Sequence, residues 1–249
     1  MAGHSKWANI RHRKGAQDAK RGKIFTKLIK EITVSVKTGG GPDLDSNPRL
    51  RAAVQNAKSQ NMPKDTIARA IAKASGDDGA DYTETTYEGY GPDGVAVMVE
   101  CATDNNNRTV ANVRMYFNKF NGALGKDGSL QFIFDHKGLF LIEMGERDED
   151  ELTMELIDAG AEDFESDDDL LTVYTAMSDF GAVQKKLEDL KIEPKEAGLQ
   201  RIPNMTKPIA EKHLSTFLKL IDALEDDDDV QSVYHNADVD EELLEKYLS

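Results

Sequence analysis

The sequence predicts an α+β protein of three domains: an N-terminal helical bundle followed by two α/β, ferredoxin-like domains, one inserted in the other. Three observations lead there. Apolar residues recur at helical spacing up to Ser75. After Gly79 the period shortens to two, as in VAVMVEC. Residues 138–204 then read β-α-β-β-α-β, the ferredoxin-like order.

The first helix starts near Ala16. On a helical wheel Ile24, Phe25, Leu28, Ile29, Ile32 and Val36 share one face, and Lys20, Lys23, Lys27, Lys30 and Lys37 form a stripe opposite. GGGP at 39–42 ends it. A second helix is predicted from Ser46 to Ser59, with Leu50, Ala53, Val54 and Ala57 inward. After the NMP turn a third is predicted with Pro63 at its first position and Ile67, Ala70, Ile71 and Ala74 inward. Together they make a basic domain over 1–77. Residues 1–15 show no apolar period and read as flexible when free.

The middle domain, 80–136 plus 206–249, is predicted to be discontinuous. It has strands at TTYEGYG, at VAVMVEC (half-buried on Val95, Val97, Val99 and Cys101) and at SLQFIFDH. A helix carrying Val110, Val113, Phe117 and Phe120 lies between the last two. After the insertion, a long helix with Leu214, Phe217, Leu218, Ile221 and Leu224, a strand VQSVYH and a short helix EELLEKYL are predicted to complete its sheet. The inserted domain, 137–205, runs from the strand GLFLIEM to a strand ending at Ile202, with a DDD turn between its central strands.

Charge is divided along the chain. The net charge is -15, yet residues 1–75 hold 16 Lys and Arg against 5 Asp and Glu, and the remainder 15 against 41. A basic end on an acidic body suits a polyanion bound at one end and in one orientation. The candidate nucleic-acid-binding residues are Lys6, Trp7, Arg11, Arg13, Lys14, Lys20, Arg21, Lys23, Lys27 and Lys30. Lysines on one helix can follow a phosphate backbone by charge, and Trp7 can stack on a base. A secondary contact is Asn105, Asn106, Asn107 and Arg108, amides and a cation at a helix start. Ordinary capping by Asp104 or Asn105 competes with that reading.

Other chemistry finds little support. The single cysteine, Cys101, excludes an internal disulfide framework and a cysteine-based zinc site. His4, His12, His136, His213 and His235 show no metal spacing. Asp167–Asp169 and Asp226–Asp229 could collect Mg²⁺ in a distant alternative, a metal-dependent hydrolase, but they read first as solvated acidic turns. No nucleophile elbow, P-loop or zincin motif occurs. The expectation is no enzyme, metal, cofactor or small-molecule substrate. Membrane and secretion signals are missing too.

The stretch GHSKWANIRHRKGAQDAKRGKIFTKLIKEI closely resembles the opening of the YebC/PmpR family, whose mitochondrial members activate translation of cytochrome c oxidase subunit I. The likeness continues through RLRAAVQNAKSQNMPKDTIARAI, YEGYGPDGVAVMVECATDNNNRTVANVR and GSLQFIFDHKG. It implies three domains and a non-enzymatic role in gene expression. Two versions of that role follow: a DNA-binding transcriptional regulator, and a translation factor that binds ribosomal RNA and relieves ribosomes stalled in proline runs. Because the motif begins at Gly3, the expected setting is bacterial and cytoplasmic.

Overall fold

The computed structural model describes residues 18–76 and 81–239. Through their described residues, Met1–Lys27, Asp81–Asp135 and Arg201–Ser249 make one compact unit, and Leu28–Ala80 with His136–Gln200 the other. Among the described residues seven helices and largely antiparallel sheets give the mixed α+β class. The residues read as a flexible arm, 1–15, and the final helix EELLEKYL lie outside the described residues.

The first unit is built on the sheet order β3-β1-β2-β9. Strand β1 (Thr83–Tyr90) pairs antiparallel with β2 (Ala96–Thr103) across the 3-10 turn Pro92–Gly94. Helix α4 (Asn106–Lys119) follows, then the two-residue strand β3 (Ala123–Leu124). The chain returns after the inserted sheet with α7 (Glu211–Glu225) and β9 (Val230–His235), which pairs antiparallel with β2. A two-stranded pair, β8 (Lys207–Pro208) and β10 (Ala237–Asp238), lies beside it in sequence.

Two readings of this sheet are corrected. The strand β2 is buried on both faces. Val95, Val97, Val99 and Cys101 join a core with Val113, Phe117, Leu214, Phe217, Ile221 and Leu224. Ala96 and Met98 face a second cluster of Leu130, Ile133, Phe134 and Tyr234. The other correction concerns SLQFIFDH. Ile133 N–H donates to the Leu130 carbonyl, so Gln131–Ile133 coils as a 3-10 turn. One strand, β4 (Phe134–Glu143), then absorbs both predicted strands. The edge place beside β1 goes to β3, where the chain comes close: a Cβ on Gly89 would lie 2.8 Å from the Ala123 carbonyl oxygen.

In the second unit β4, β5 (Ala161–Asp167), β6 (Leu170–Ala176) and β7 (Glu196–Pro203) form the order β5-β6-β4-β7, with α5 (Glu149–Asp158) and α6 (Phe180–Asp189) between them in sequence. This is the ferredoxin-like arrangement, and in chain order it falls between β3 and β9 of the first sheet. Phe140, Ile142, Leu156, Leu171, Val173, Phe180, Val183 and Leu187 form its core. The rings of Phe140 and Phe180 stack with centroids 4.7 Å apart.

Among the described residues three helices precede the first sheet. Helix α1 covers Asp18–Thr38, α2 Pro48–Ser59 and α3 Lys64–Ser75. The second helix starts at Pro48 rather than Ser46, because Asn47 caps it: its Oδ1 accepts from Leu50 N–H at 2.9 Å. The Asn47 amide also donates to the carbonyls of Ser35 and Gly41, which fixes the preceding loop. Pro63 stands at the cap of α3, one place before the expected position, since its ψ of 137° is extended. Helix α2 rests against α6. Ala52 enters the ferredoxin-like core, and the Asn56 amide exchanges two hydrogen bonds with the Ala197 backbone.

Candidate nucleic-acid interface

The lysine face of α1 is where sequence placed the phosphate contacts. Lys6, Trp7, Arg11, Arg13 and Lys14 lie outside the described residues, and Lys20 and Arg21 lie on α1. The rest of the stripe changes character along the helix. Lys23 is exposed, Lys27 half-buried and Lys30 buried. From Ile32 to Val36 every side chain is buried, so the helix is amphipathic only in its first half.

Lys23 and Lys27 reach the carbonyl end of α7. Lys23 Nζ lies 2.6 Å from Asp226 Oδ1 and also donates to the Asp226 carbonyl at 3.2 Å. Lys27 Nζ donates to the Glu225 carbonyl at 2.6 Å. A helix end leaves carbonyls without intrahelical partners and carries partial negative charge, so two ammonium groups satisfy both needs. Burial pushes the Lys27 ammonium below the usual lysine range, while Glu225, Asp227 and Asp228 pull it back up.

This junction corrects the reading of Asp226–Asp229 as a solvated turn. Asp227 and Asp229 are buried. Asp227 Oδ2 accepts from Asn112 at 3.0 Å and from the Tyr116 hydroxyl at 3.1 Å. Asp229 Oδ2 accepts from Arg108 Nη2 at 2.6 Å, Arg108 Nε at 3.1 Å and Thr109 Oγ1 at 2.9 Å. Burial first, then Asp227, pushes the Tyr116 hydroxyl up to about 12. Sequence reasoning missed all of these partners, because each contact joins residues more than a hundred positions apart. Among the described residues no group of three His, Cys, Asp or Glu side chains could hold a metal ion. No described helix is long and apolar enough to cross a membrane.

Within the secondary candidate, Asn105 to Arg108, Asn105 caps the helix. Asn105 Oδ1 accepts from Arg108 N–H at 3.1 Å, and the Arg108 guanidinium is held by Asp229 and by Asp104 at 2.8 Å. Asn106 and Asn107 are exposed. His213, which the sequence left without a role, sits with Nδ1 2.6 Å from Asp93 Oδ1.

Comparison with known proteins shows the family of the chain. Residues 5–77 match the model of the TACO1/YebC protein N-terminal domain, and residues 82–237 that of the TACO1/YebC second and third domain. The chain belongs to the TACO1/YebC family. A relative from Amoebophilus asiaticus named "Probable transcriptional regulatory protein" is 56% identical over 239 residues, covering 95% of this chain and 98% of its own. One of the same name from Syntrophotalea carbinolica is 54% identical and covers 100% of both chains. The crystal structure of a conserved hypothetical protein from Aquifex aeolicus superposes with a TM-score of 0.82 at 42% identity, covering 91% of this chain and 94% of that one. The resemblance read from GHSKWANIRHRKGAQDAKRGKIFTKLIKEI therefore holds.

Proposed function

We propose that this YebC-family chain is a non-enzymatic, cytoplasmic regulator of gene expression that binds nucleic acid through its basic N-terminal segment. The observation that carries the reading is the charge division, 16 basic against 5 acidic residues in 1–75 on an otherwise acidic chain. The name of the relatives, probable transcriptional regulatory protein, supports the regulator role. Lys6, Trp7, Arg11, Arg13, Lys14, Lys20, Arg21 and Lys23 are the proposed contacts. Lys27 and Lys30 join them only where nucleic acid displaces their present packing.

A second reading, a translation factor acting on ribosomal RNA, is favoured by one feature of the helices. A sequence-specific DNA reader commonly offers an exposed recognition helix. Here α2 is buried at Leu50, Ala52, Ala53, Val54 and Ala57. The Arg69 guanidinium on α3 folds onto Asp65 and Thr66 of its own helix. Irregular RNA needs no such helix. Crosslinking in cells, with sequencing of the attached nucleic acid, separates the readings. Promoter DNA supports the transcriptional one and ribosomal RNA the translational one. Recovery of neither above background contradicts the proposal.

A further inference from the structure

We propose that the outer face of α4 is a second nucleic-acid contact, which tracks a single strand by Arg114 and Lys119. The inference rests on the function proposed above and adds a surface to it.

Helix α4 is a chemical exception in its setting. Residues 76–249 hold 41 acidic and 15 basic residues, yet Asn106–Lys119 contains no Asp or Glu and three cations. Its faces divide the work. Thr109, Val113 and Phe117 enter the core. Arg108, Asn112 and Tyr116 bind Asp227 and Asp229. The remaining face, Ala111, Arg114, Met115, Asn118 and Lys119, lines an open depression to which no carboxylate contributes among the described residues.

The arginines show why this face differs. Arg49, Arg51, Arg69, Arg108, Arg147 and Arg201 all donate guanidinium hydrogen bonds to other groups of the protein. Arg114 is exposed and bonds to no described residue. A guanidinium in that state offers a planar fork of donors that matches phosphate oxygens. Lys119 is exposed as well, with Nζ 5.3 Å from the Phe120 ring centroid. The two cations stand about 7.5 Å apart along the helix axis, within reach of neighbouring phosphates on one strand. Between them Met115 is 51% exposed, and its polarizable sulfur suits the face of an unstacked base. Asn118 adds an amide for a base edge or a ribose hydroxyl. Charge alone would also admit an acidic protein, but an apolar surface and an amide set among cations fit a strand that presents phosphates and bases together.

The test uses the intact chain and a fluorescein-labelled oligo-uridine of about 20 nucleotides, longer than a typical single-strand site. Arg114→Gln with Lys119→Gln should weaken binding roughly tenfold near 0.1 M salt and make the slope of log affinity against log salt shallower by about 1.4. A photocrosslinker on Met115→Cys should capture the probe, and one on Met154→Cys of α5 should not. Unchanged affinity and slope in the α4 pair, while Lys20→Gln with Lys23→Gln flattens the slope, overturns this proposal and leaves the N-terminal reading intact. If the parent chain does not bind the probe, this proposal falls, and the N-terminal reading falls with it only if duplex DNA is not bound either. Displacement of the probe by polyglutamate as readily as by unlabelled oligo-uridine would overturn the choice of nucleic acid as the partner.

Discussion

Lys23 Nζ lies 2.6 Å from Asp226 Oδ1, so a lysine of the proposed phosphate handle already holds a carboxylate of its own chain. Nucleic acid must compete with that carboxylate. Asp226→Asn is therefore expected to tighten single-stranded RNA binding at low salt. An exposed pair contributes about 0.2–1 kcal/mol, which sets a ceiling of roughly fivefold. Binding isotherms of parent and variant check it. Weaker binding would mean that Asp226 orients the helix rather than competing for it.

Arg108 is expected to act in stability and not in binding. Arg108→Ala leaves the buried Asp229 carboxylate with fewer donors and should destabilise the fold by about 1–3 kcal/mol. Urea unfolding reads that loss. The salt slope for RNA should stay at the parent value, and a slope shallower by about 0.7 would show instead that Arg108 meets a phosphate.

Tyr116 gives a pH signature. Its folded pKa of about 12 lies above its ordinary value of 10.0, because burial and Asp227 oppose the phenolate. The stability it contributes is fully present below about pH 10 and is lost as pH rises through 12. Ultraviolet titration should show a tyrosine ionising near about 12 that is absent in Tyr116→Phe. A spectrum in which no tyrosine titrates late would contradict the hydrogen bond to Asp227.

Asn47 joins three backbone segments through one side chain. Asn47→Ala removes the cap on Leu50 and the donors to Ser35 and Gly41. A lost cap costs about 1 kcal/mol, and the stranded carbonyls add about 1–3 kcal/mol. Thermal unfolding should show the drop, and Asn47→Asp should recover only the cap.

Much of the fold was legible because local periodicity reports burial. The apolar positions of α7 were read correctly, and all five, Leu214 to Leu224, are buried. The ferredoxin-like order of the inserted sheet was read from the sequence of elements alone. What failed depended on distant chain. Ala96 and Met98 looked like an open face of β2, and the residues that cover them begin at Leu130 and extend to Tyr234. The Asp226–Asp229 run looked solvated, because nothing near it in sequence announces Arg108, Thr109, Asn112 or Tyr116 as donors. The lysine stripe was legible as a pattern, but the burial of Lys30 follows from packing that a helical wheel does not contain.

The most direct test of the central claim is the salt dependence of RNA binding by the intact chain. Contact with about five phosphates on a single strand predicts a slope of log affinity against log salt near -3.5. The slope should flatten by about 1.4 in Lys20→Gln with Lys23→Gln, two lysines of the proposed handle. An affinity that does not change with salt, or a chain that binds neither single-stranded RNA nor duplex DNA, would contradict the account.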